Sequence, residues 1–342
     1  MKSVKIYYQD DINKLTRKRS GEKKIGESVK CSINNWEKDL KKSNCEFVII
    51  GIPEDIGVRA NYGRAGASSA FIPALDSFLS QQDNLFLNAE NIFILGEIHV
   101  EDLIKKAEHL EQKTKQNIDE LRKIVSEIDL RVSHVISKII KFKKTPIIIG
   151  GGHNNAFGNI KGSFEGLSQQ INVINCDAHL DFRPLEGRHS GNGFSYAFEN
   201  KYLKKYAALS IHEQYNNSEA LSQFLKMPQQ LFYNTYESIF IREELTFNSA
   251  IKQTINFVKE SACGVELDLD SITNVPSSAK TSSGISALQA RKYVYQCAKQ
   301  LKVIYLHIAE GAPVLSHIKA DNKTGKLIAY LISDFIKGRE KN

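Results

Sequence analysis

The stretch Val173–Arg183 reads Val-Ile-Asn-Cys-Asp-Ala-His-Leu-Asp-Phe-Arg, and the rest of the chain is interpreted around it. Its first residues are mostly apolar and β-branched, which suits a strand that is covered on both faces. Asp177, His179 and Asp181 follow at positions i, i+2 and i+4. In an extended chain this spacing points the three side chains in the same direction. Two carboxylates and an imidazole at the end of a buried strand predict a divalent-metal site, although one such triplet also fits a solvated strand end.

Two other segments repeat this pattern of an apolar strand followed by ligand-type residues. Cys263–Asp270 ends in two carboxylates, Asp268 and Asp270, and Thr145–His153 ends in three glycines and a histidine. In open α/β sheets, functional sites lie on the loops that follow the carboxyl ends of the strands. Four carboxylates and two imidazoles carry enough charge for a pair of cations. Because oxygen ligands predominate and no thiolate is required, the set favours Mn²⁺ over Zn²⁺.

Strands alternate with helices along most of the 342 residues, which predicts an α/β fold with a mostly parallel sheet and helices on both faces. A chain of this length can form one large domain or two smaller ones. It contains no repeat and no linker rich in proline or serine. We therefore expect an N-terminal extension over residues 1–43 and a single domain over residues 44–342.

The remaining elements are read from apolar periodicity. Residues 117–142 show apolar side chains four and three apart, which predicts a long helix that packs on the sheet or meets a partner helix. Gly-rich segments at 60–69 and 150–152 lack the GxGxxG order, which argues against a dinucleotide cofactor. The other predicted strands and helices are strands Phe47–Ile50, Asn91–Leu95, Tyr206–Ile211, Leu231–Tyr233 and Lys302–Ala309, and helices Ser286–Gln300 and Leu327–Ile336, with some helix around Ser28–Leu40.

Charge and cysteine content exclude several classes of protein. The net charge of +7 comes from 46 basic and 39 acidic residues, and the lysines are dispersed, so nucleic-acid binding is not expected. No stretch approaches the roughly 18 apolar residues of a membrane span, and no signal-peptide core follows Met1. The five cysteines form no CxxC pair, which predicts reduced thiols in a cytoplasmic protein. The sequence leaves open whether the chain forms a homo-oligomer.

Three segments together resemble the metal-binding signatures of the arginase/agmatinase/formimidoylglutamase superfamily. They are Gly151-Gly152-His153, Asp177-Ala178-His179-Leu180-Asp181 and Asp268-Leu269-Asp270, which occur in the expected order, each after an apolar strand. The resemblance covers roughly residues 47–336. It implies a three-layer arginase-like fold and a site with two Mn²⁺ ions that activates water to hydrolyse a guanidinium or formimidoyl group.

The resemblance also implies a ligand set. One ion would bind His153, Asp177, Asp181 and Asp268, and the other would bind Asp177, His179, Asp268 and Asp270. Asp177 and Asp268 would then bridge the two ions.

Two further residues match the family outside the metal ligands. His189 matches a histidine that is thought to pass protons to the leaving amine, a task that suits an ordinary imidazole pKa near 6.5. Its alternative is a loop histidine bonded to the backbone. Glu310 matches the acidic residue that anchors the cationic end of the substrate, and its alternative is a glutamate in a surface turn near Pro313.

The residues around the second signature favour formimidoylglutamases over arginases. Arginases usually have asparagine shortly after this signature, whereas Phe182-Arg183 follows it here. Arg183 suits a substrate with an extra carboxylate, since a guanidinium binds carboxylate through two parallel hydrogen bonds; alternatively it only pairs with Glu186. Asn192-Gly193 after Ser190-Gly191, Thr273-Asn274 after the third signature, and Asn154 after His153 all depart from common family patterns.

The sequence therefore predicts a binuclear manganese hydrolase of linear amidines. The expected reaction converts N-formimidoyl-L-glutamate to L-glutamate and formamide. The alternatives are hydrolysis of a guanidino compound (arginine, agmatine or guanidine) to urea, and a catalytically silent metal-binding homologue that uses the helix at residues 117–142 for docking. Unpaired clustered carboxylates are costly without a cation, which argues against the silent homologue.

Overall fold

The computed structural model describes residues 3–316 and 322–340, and in them ten strands form one sheet. The strands are two to nine residues long, and five of the ten are buried at every residue. In chain order the strands are β1 (Val4–Ile6), β2 (Lys30–Cys31), β3 (Phe47–Gly51), β4 (Ile92–Ile98), β5 (Thr145–Ile149), β6 (Ile171–Cys176), β7 (Leu203–Ile211), β8 (Leu231–Thr235), β9 (Cys263–Asp268) and β10 (Val303–Ala309).

The sheet is parallel except at one edge. Its order is β1-β4-β3-β5-β10-β9-β6-β7-β8, and β2 also pairs with β4. β1 is antiparallel to β4, and the other pairs are parallel. The two short strands β1 and β2 come from the expected N-terminal extension, so residues of that segment pair with the main sheet.

Helices cover both faces of the sheet. They are α1 (Gln9–Leu15), α2 (Trp36–Lys42), α3 (Ile56–Ala60), α4 (Phe71–Leu79), α5 (Glu101–Ala107), α6 (Lys115–Lys141), α7 (Asn155–Leu167), α8 (Gly193–Glu199), α9 (Ser218–Lys226), α10 (Tyr236–Phe240), α11 (Phe247–Val258), α12 (Ala287–Gln300) and α13 (Lys323–Arg339). Successive strand residues point to opposite faces, so Ile49 and Ile147 lie in one apolar core while Val48 and Ile148 lie in the other. The result is the three-layer α/β architecture that the sequence predicts.

The long predicted helix is α6, and its apolar stripe is buried. Thr114 caps it by accepting a hydrogen bond from the backbone N–H of Asn117 at 3.2 Å. The stripe, which includes Leu121, Val125 and Ile128, packs in the core that also contains α7 residues. Of the two interpretations of this periodicity, packing within the domain is therefore the one observed.

The predicted helix around Ser28–Leu40 is wrong over most of its length. Lys30–Cys31 extends as β2 along β4, and helix α2 begins only at Trp36. Asn35 determines this start, because its side chain accepts a hydrogen bond from the backbone N–H of Lys38. Pairing at the sheet edge thus overrides helical periodicity in this short segment.

The structure can also be compared with the sequence at two further points, the helices and the cysteines. None of the helices within residues 3–316 and 322–340 is both long and apolar enough to cross a membrane. All five cysteines are free thiols, and four of them are buried.

Candidate metal centre

Four adjacent central strands bring the predicted site residues together. In the order β5-β10-β9-β6, these strands end next to His153, Glu310, Asp268 and Asp177 respectively. Because the four strands are parallel, their carboxyl ends lie at one edge of the sheet. All four side chains are at least 95% buried. Residues that are far apart in the sequence therefore form one buried polar group.

The first cluster surrounds the Nδ1 atom of His153. Carboxylate oxygens of Asp181, Asp268 and Asp177 lie 3.0, 3.1 and 3.2 Å from it. Nevertheless neither ring nitrogen of His153 has a hydrogen-bond partner with acceptable geometry among the described residues. Ligand atoms around a small divalent cation are themselves roughly 3 Å apart. The arrangement is that of ligands around a common point rather than of donor and acceptor.

The second cluster consists of Asp177, His179 and Asp270. The Nδ1 atom of His179 lies 3.4 Å from Asp177 Oδ1 and 3.3 Å from Asp270 Oδ2. Asp177 belongs to both clusters. Asp268, the other expected bridging residue, belongs to the first cluster only. It is nevertheless close to the second cluster, because its Oδ1 accepts the backbone N–H of Asp270 at 2.7 Å.

The side chains converge through tight turns rather than through an extended strand. β6 ends at Cys176, and Asp177 Oδ1 accepts the backbone N–H of His179 at 2.7 Å, a turn typical of aspartate. Asp181 then adopts φ of 46°, in the left-handed region. The prediction that an extended chain aligns the three residues is therefore wrong in its geometry. Asp268 and Asp270 repeat the same turn.

Burial and crowding determine the charges of these side chains. Burial raises the pKa of Asp268 well above its usual range, and the carboxylates of Asp270 and Asp177 raise it further. Burial likewise raises the pKa of Asp181 to about 6, reinforced by Asp177. For His153 burial opposes protonation, but the surrounding carboxylates outweigh this effect and raise its pKa well above the usual value. The crowded carboxylates and imidazoles therefore compete for protons.

The residues fit a divalent metal. A cation can replace those protons, relieve the repulsion among the carboxylates and occupy the point that His153 Nδ1 faces. The two clusters share Asp177, so they offer two neighbouring positions. Their ligand atoms are carboxylate oxygens and imidazole nitrogens, which suit Mn²⁺.

A second buried group lies beneath His153. Glu266 Oε2 is 3.5 Å from His153 Nε2, and it accepts a hydrogen bond from His307 Nδ1 at 2.6 Å. The other oxygen of Glu266 accepts from the Tyr305 hydroxyl at 2.8 Å. All four side chains are buried. Nδ1 of His153 faces the carboxylates of the first cluster, and Nε2 faces Glu266. Metal-binding histidines usually have such a carboxylate partner at their second ring nitrogen.

A cavity of about 750 Å³ opens above the centre. Among the described residues that line it, Arg183 is the sole lysine or arginine. The Arg183 guanidinium binds Glu186 Oε1 at 2.6 Å and Asn61 Oδ1 at 3.0 Å. The pairing with Glu186 is the alternative contact expected for this arginine, and it places a side-chain carboxylate where a substrate carboxylate could bind. The lining includes the site residues His179, Asp181, Arg183, Asp268, Asp270 and Glu310.

His189 is not among the residues that line the cavity, although its neighbours Ser190 and Gly191 are. Its Nδ1 accepts the backbone N–H of Gly191 at 3.1 Å, so Nε2 carries the proton and donates it to Glu186 at 3.1 Å. Burial, reinforced by the positive charge of Arg183, lowers the pKa of His189 to about 3. The contacts agree with the loop-histidine alternative, with Glu186 between the ring and the cavity.

Glu310 lies inside the site and not in a surface turn. Its Oε1 accepts the backbone N–H of His153 at 2.9 Å, and its own N–H donates to Gly151 O at 3.0 Å. It adopts φ of 63°, a second left-handed residue at the centre besides Asp181. Burial raises the pKa of Glu310 to about 8 in the metal-free site.

Several residues of the site were not predicted from the sequence. Glu266 could have been found, because it lies two positions before Asp268 in a strand and so points to the same face. Glu54 and Asn61 give no such signal, since their contacts are tertiary. Two arginines of the Gly-rich segment bind only backbone carbonyls in the contacts described: Arg59 those of residues 107 and 110, and Arg64 those of residues 277 and 278.

Comparisons with known proteins agree with this geometry. A model of the Arginase family matches residues 45–337. The formimidoylglutamase of Streptococcus pyogenes serotype M5 (strain Manfredo) is 27% identical over 295 residues, which cover 84% of this chain and 82% of that protein.

Solved structures of the same fold include both amidine and guanidine enzymes by name. The formimidoylglutamase of Bacillus subtilis superposes with a TM-score of 0.73 at 18% identity, covering 94% of each chain. Trypanosoma cruzi formiminoglutamase with Mn²⁺ gives 0.70 at 20% identity, covering 93% of this chain and 98% of that one. A hypothetical agmatinase from Burkholderia thailandensis gives 0.69 at 15% identity, covering 88% and 87%. At these identities the likeness establishes the fold.

Proposed function

The chain belongs to the arginase family, and on this premise we propose that it hydrolyses N-formimidoyl-L-glutamate to L-glutamate and formamide with two Mn²⁺ ions bound. One observation supports this substrate over agmatine and guanidine: among the described residues that line the cavity over the metal centre, Arg183 is the sole lysine or arginine. A guanidinium binds a carboxylate through a charged hydrogen-bonded pair. Formimidoylglutamate has such a carboxylate, whereas agmatine and guanidine have none.

The proposed ligands are those of the two clusters. His153, Asp181 and Asp268 with Asp177 would hold one ion, and His179 and Asp270 with Asp177 the other; Asp268 would also reach the second ion. Bound Mn²⁺ supplies an acidified water molecule that can act as nucleophile near neutral pH. The protein contributes ligand atoms that lie close together, with three carboxylate oxygens within 3.2 Å of His153 Nδ1.

The chain's own residues orient the substrate and manage its protons. Glu310 accepts N–H groups of the formimidoyl end and holds its carbon over the centre. Arg183 binds a carboxylate at the far end. When the C–N bond to the glutamate nitrogen breaks, that nitrogen takes up a proton. The attacking water supplies that proton. It would reach the nitrogen by way of the Glu186 carboxylate, and His189, which donates its Nε2–H to Glu186 at 3.1 Å, is the proposed partner in this transfer.

A guanidino substrate is the second candidate, and a specific observation favours it. Glu186 already neutralises Arg183 at 2.6 Å, and Glu219 also lines the cavity. Two carboxylates at the rim suit a substrate with a cationic far end. The main proposal requires that Arg183 exchange Glu186 for the substrate.

A substrate panel tests the proposal. The protein is stripped of metal, reloaded with Mn²⁺ and assayed with formimidoylglutamate, arginine, agmatine and guanidine. We expect kcat/KM to be highest for formimidoylglutamate and activity to disappear in the stripped protein. A higher kcat/KM for a guanidino compound, with urea released, would favour the second candidate.

A further inference from the structure

Glu54 is a completely buried carboxylate that joins two loops at the metal centre. It follows β3, and its Oε2 accepts the backbone N–H groups of Ile56 at 2.8 Å and Gly57 at 3.3 Å. Its Oε1 accepts the backbone N–H of Gly152 at 3.3 Å. One side chain thus bonds to its own turn and to the loop that carries His153.

The same oxygen also holds the residues after His153. Asn154 and Asn155 each donate a side-chain N–H to Glu54 Oε1, at 3.1 and 2.5 Å. Glu54 has no ion-pair partner among the described residues, so five N–H donors alone compensate for its burial.

The two loops are packed too closely to shift independently. A Cβ atom on Gly57 would lie 1.9 Å from Asn154 Oδ1, and one on Gly152 would lie 2.5 Å from the same atom. The backbone N–H of His153 between them donates to Glu310. His153 is therefore held through Gly152 before it, Glu310 beside it and Asn154 after it.

We propose that Glu54 is a positioning residue for the metal ion that His153 binds. The proposal rests on the proposed two-manganese function. Glu54 fixes the loop that places Nδ1 of His153 within 3.2 Å of three carboxylates. The cluster around His179 does not include His153. Disturbing Glu54 should therefore weaken mainly the binding of the ion that His153 holds.

The test is titration of metal-free protein with Mn²⁺, which resolves two affinities, on wild type and Glu54→Gln. Glutamine keeps the shape but turns one acceptor into an N–H donor that faces other donors. We expect one site to weaken about 10- to 100-fold, the usual effect of losing a residue that orients a metal ligand, and the other to change less than about 2-fold. A role in folding alone would not separate the two sites.

Glu97→Gln is the matched control. Glu97 is also a buried glutamate, but it accepts a hydrogen bond from Tyr7 on the antiparallel edge of the sheet. We expect both of its Mn²⁺ affinities to equal those of wild type. If Glu54→Gln does not fold, Asn155→Ala, which removes one donor to Glu54, must weaken the same single site.

The outcomes separate this inference from the proposed function. If wild type binds two ions and Glu54→Gln binds both as tightly, or if both sites weaken equally, the role of Glu54 is overturned and the proposed function stands. If wild type binds only one ion, the two-ion function fails, and the inference built on it fails too.

Discussion

Replacing Arg183 by methionine should selectively impair substrates that have a carboxylate. A hydrogen bond to a charged group is worth about 1.5–3 kcal/mol. In the free protein Arg183 already pairs with Glu186, and the two side chains are 43% and 36% exposed. Such an exposed pair is worth about 0.2–1 kcal/mol, which the substrate must replace. The net gain is then about 0.5–2.8 kcal/mol, or roughly 2- to 110-fold in affinity.

The assay compares KM for formimidoylglutamate and for agmatine, together with the inhibition constant of L-glutamate, which measures binding directly. Arg183→Met should raise the KM for formimidoylglutamate and the inhibition constant of L-glutamate by roughly 2- to 110-fold. It should leave the KM for agmatine and the manganese content at their wild-type values. Glu186→Gln should act in the opposite direction and lower both constants by up to about 5-fold, because Arg183 is released. Equal KM values for wild type and Arg183→Met with formimidoylglutamate would refute this reasoning.

The remaining predictions concern the metal ligands and His189. Asp268→Asn should reduce manganese at both sites, whereas His179→Asn should lose mainly one ion; metal analysis after gel filtration distinguishes them, and equal losses would contradict the assignment. His189→Gln keeps an acceptor for the loop and should lower turnover without changing metal content; unchanged turnover would give His189 a structural role. Burial, together with the positive charges of Arg183 and Arg122, lowers the pKa of His189 from 6.5 to about 3. Only the unfolded chain therefore gains this proton as the pH drops below 6.5. The free energy of unfolding, measured in urea, should fall by up to about 2 kcal/mol between pH 6.5 and 5 in wild type, and by less in His189→Gln.

The sequence predicts the sheet and the ligands because both follow local patterns. Mostly apolar runs mark the strands β5, β6 and β9, and ligand-type residues end each run or follow it within four positions. Parallel strands then bring those ends to one edge without further information. The same reasoning misjudged the local geometry after β6, because Asp177 forms a turn with His179 that periodicity cannot reveal.

Residues that act through tertiary contacts could not be predicted in the same way. Glu54 meets Asn154 and Asn155 across about a hundred positions of sequence. His189 shows another limit: the family resemblance predicts the residue, but it does not predict that the ring contacts Gly191 and Glu186. A motif identifies the residue type, while the packing of neighbouring loops determines which way the side chain points.

The products formed from N-formimidoyl-L-glutamate test the central claim most directly. Wild-type protein loaded with Mn²⁺ is incubated with this substrate, and the products are identified by proton NMR. We predict formamide and L-glutamate in equal amounts, because water attacks the formimidoyl carbon and the bond to the glutamate nitrogen breaks. N-formylglutamate with ammonia, or no conversion by a protein that releases urea from a guanidino compound, would contradict the account.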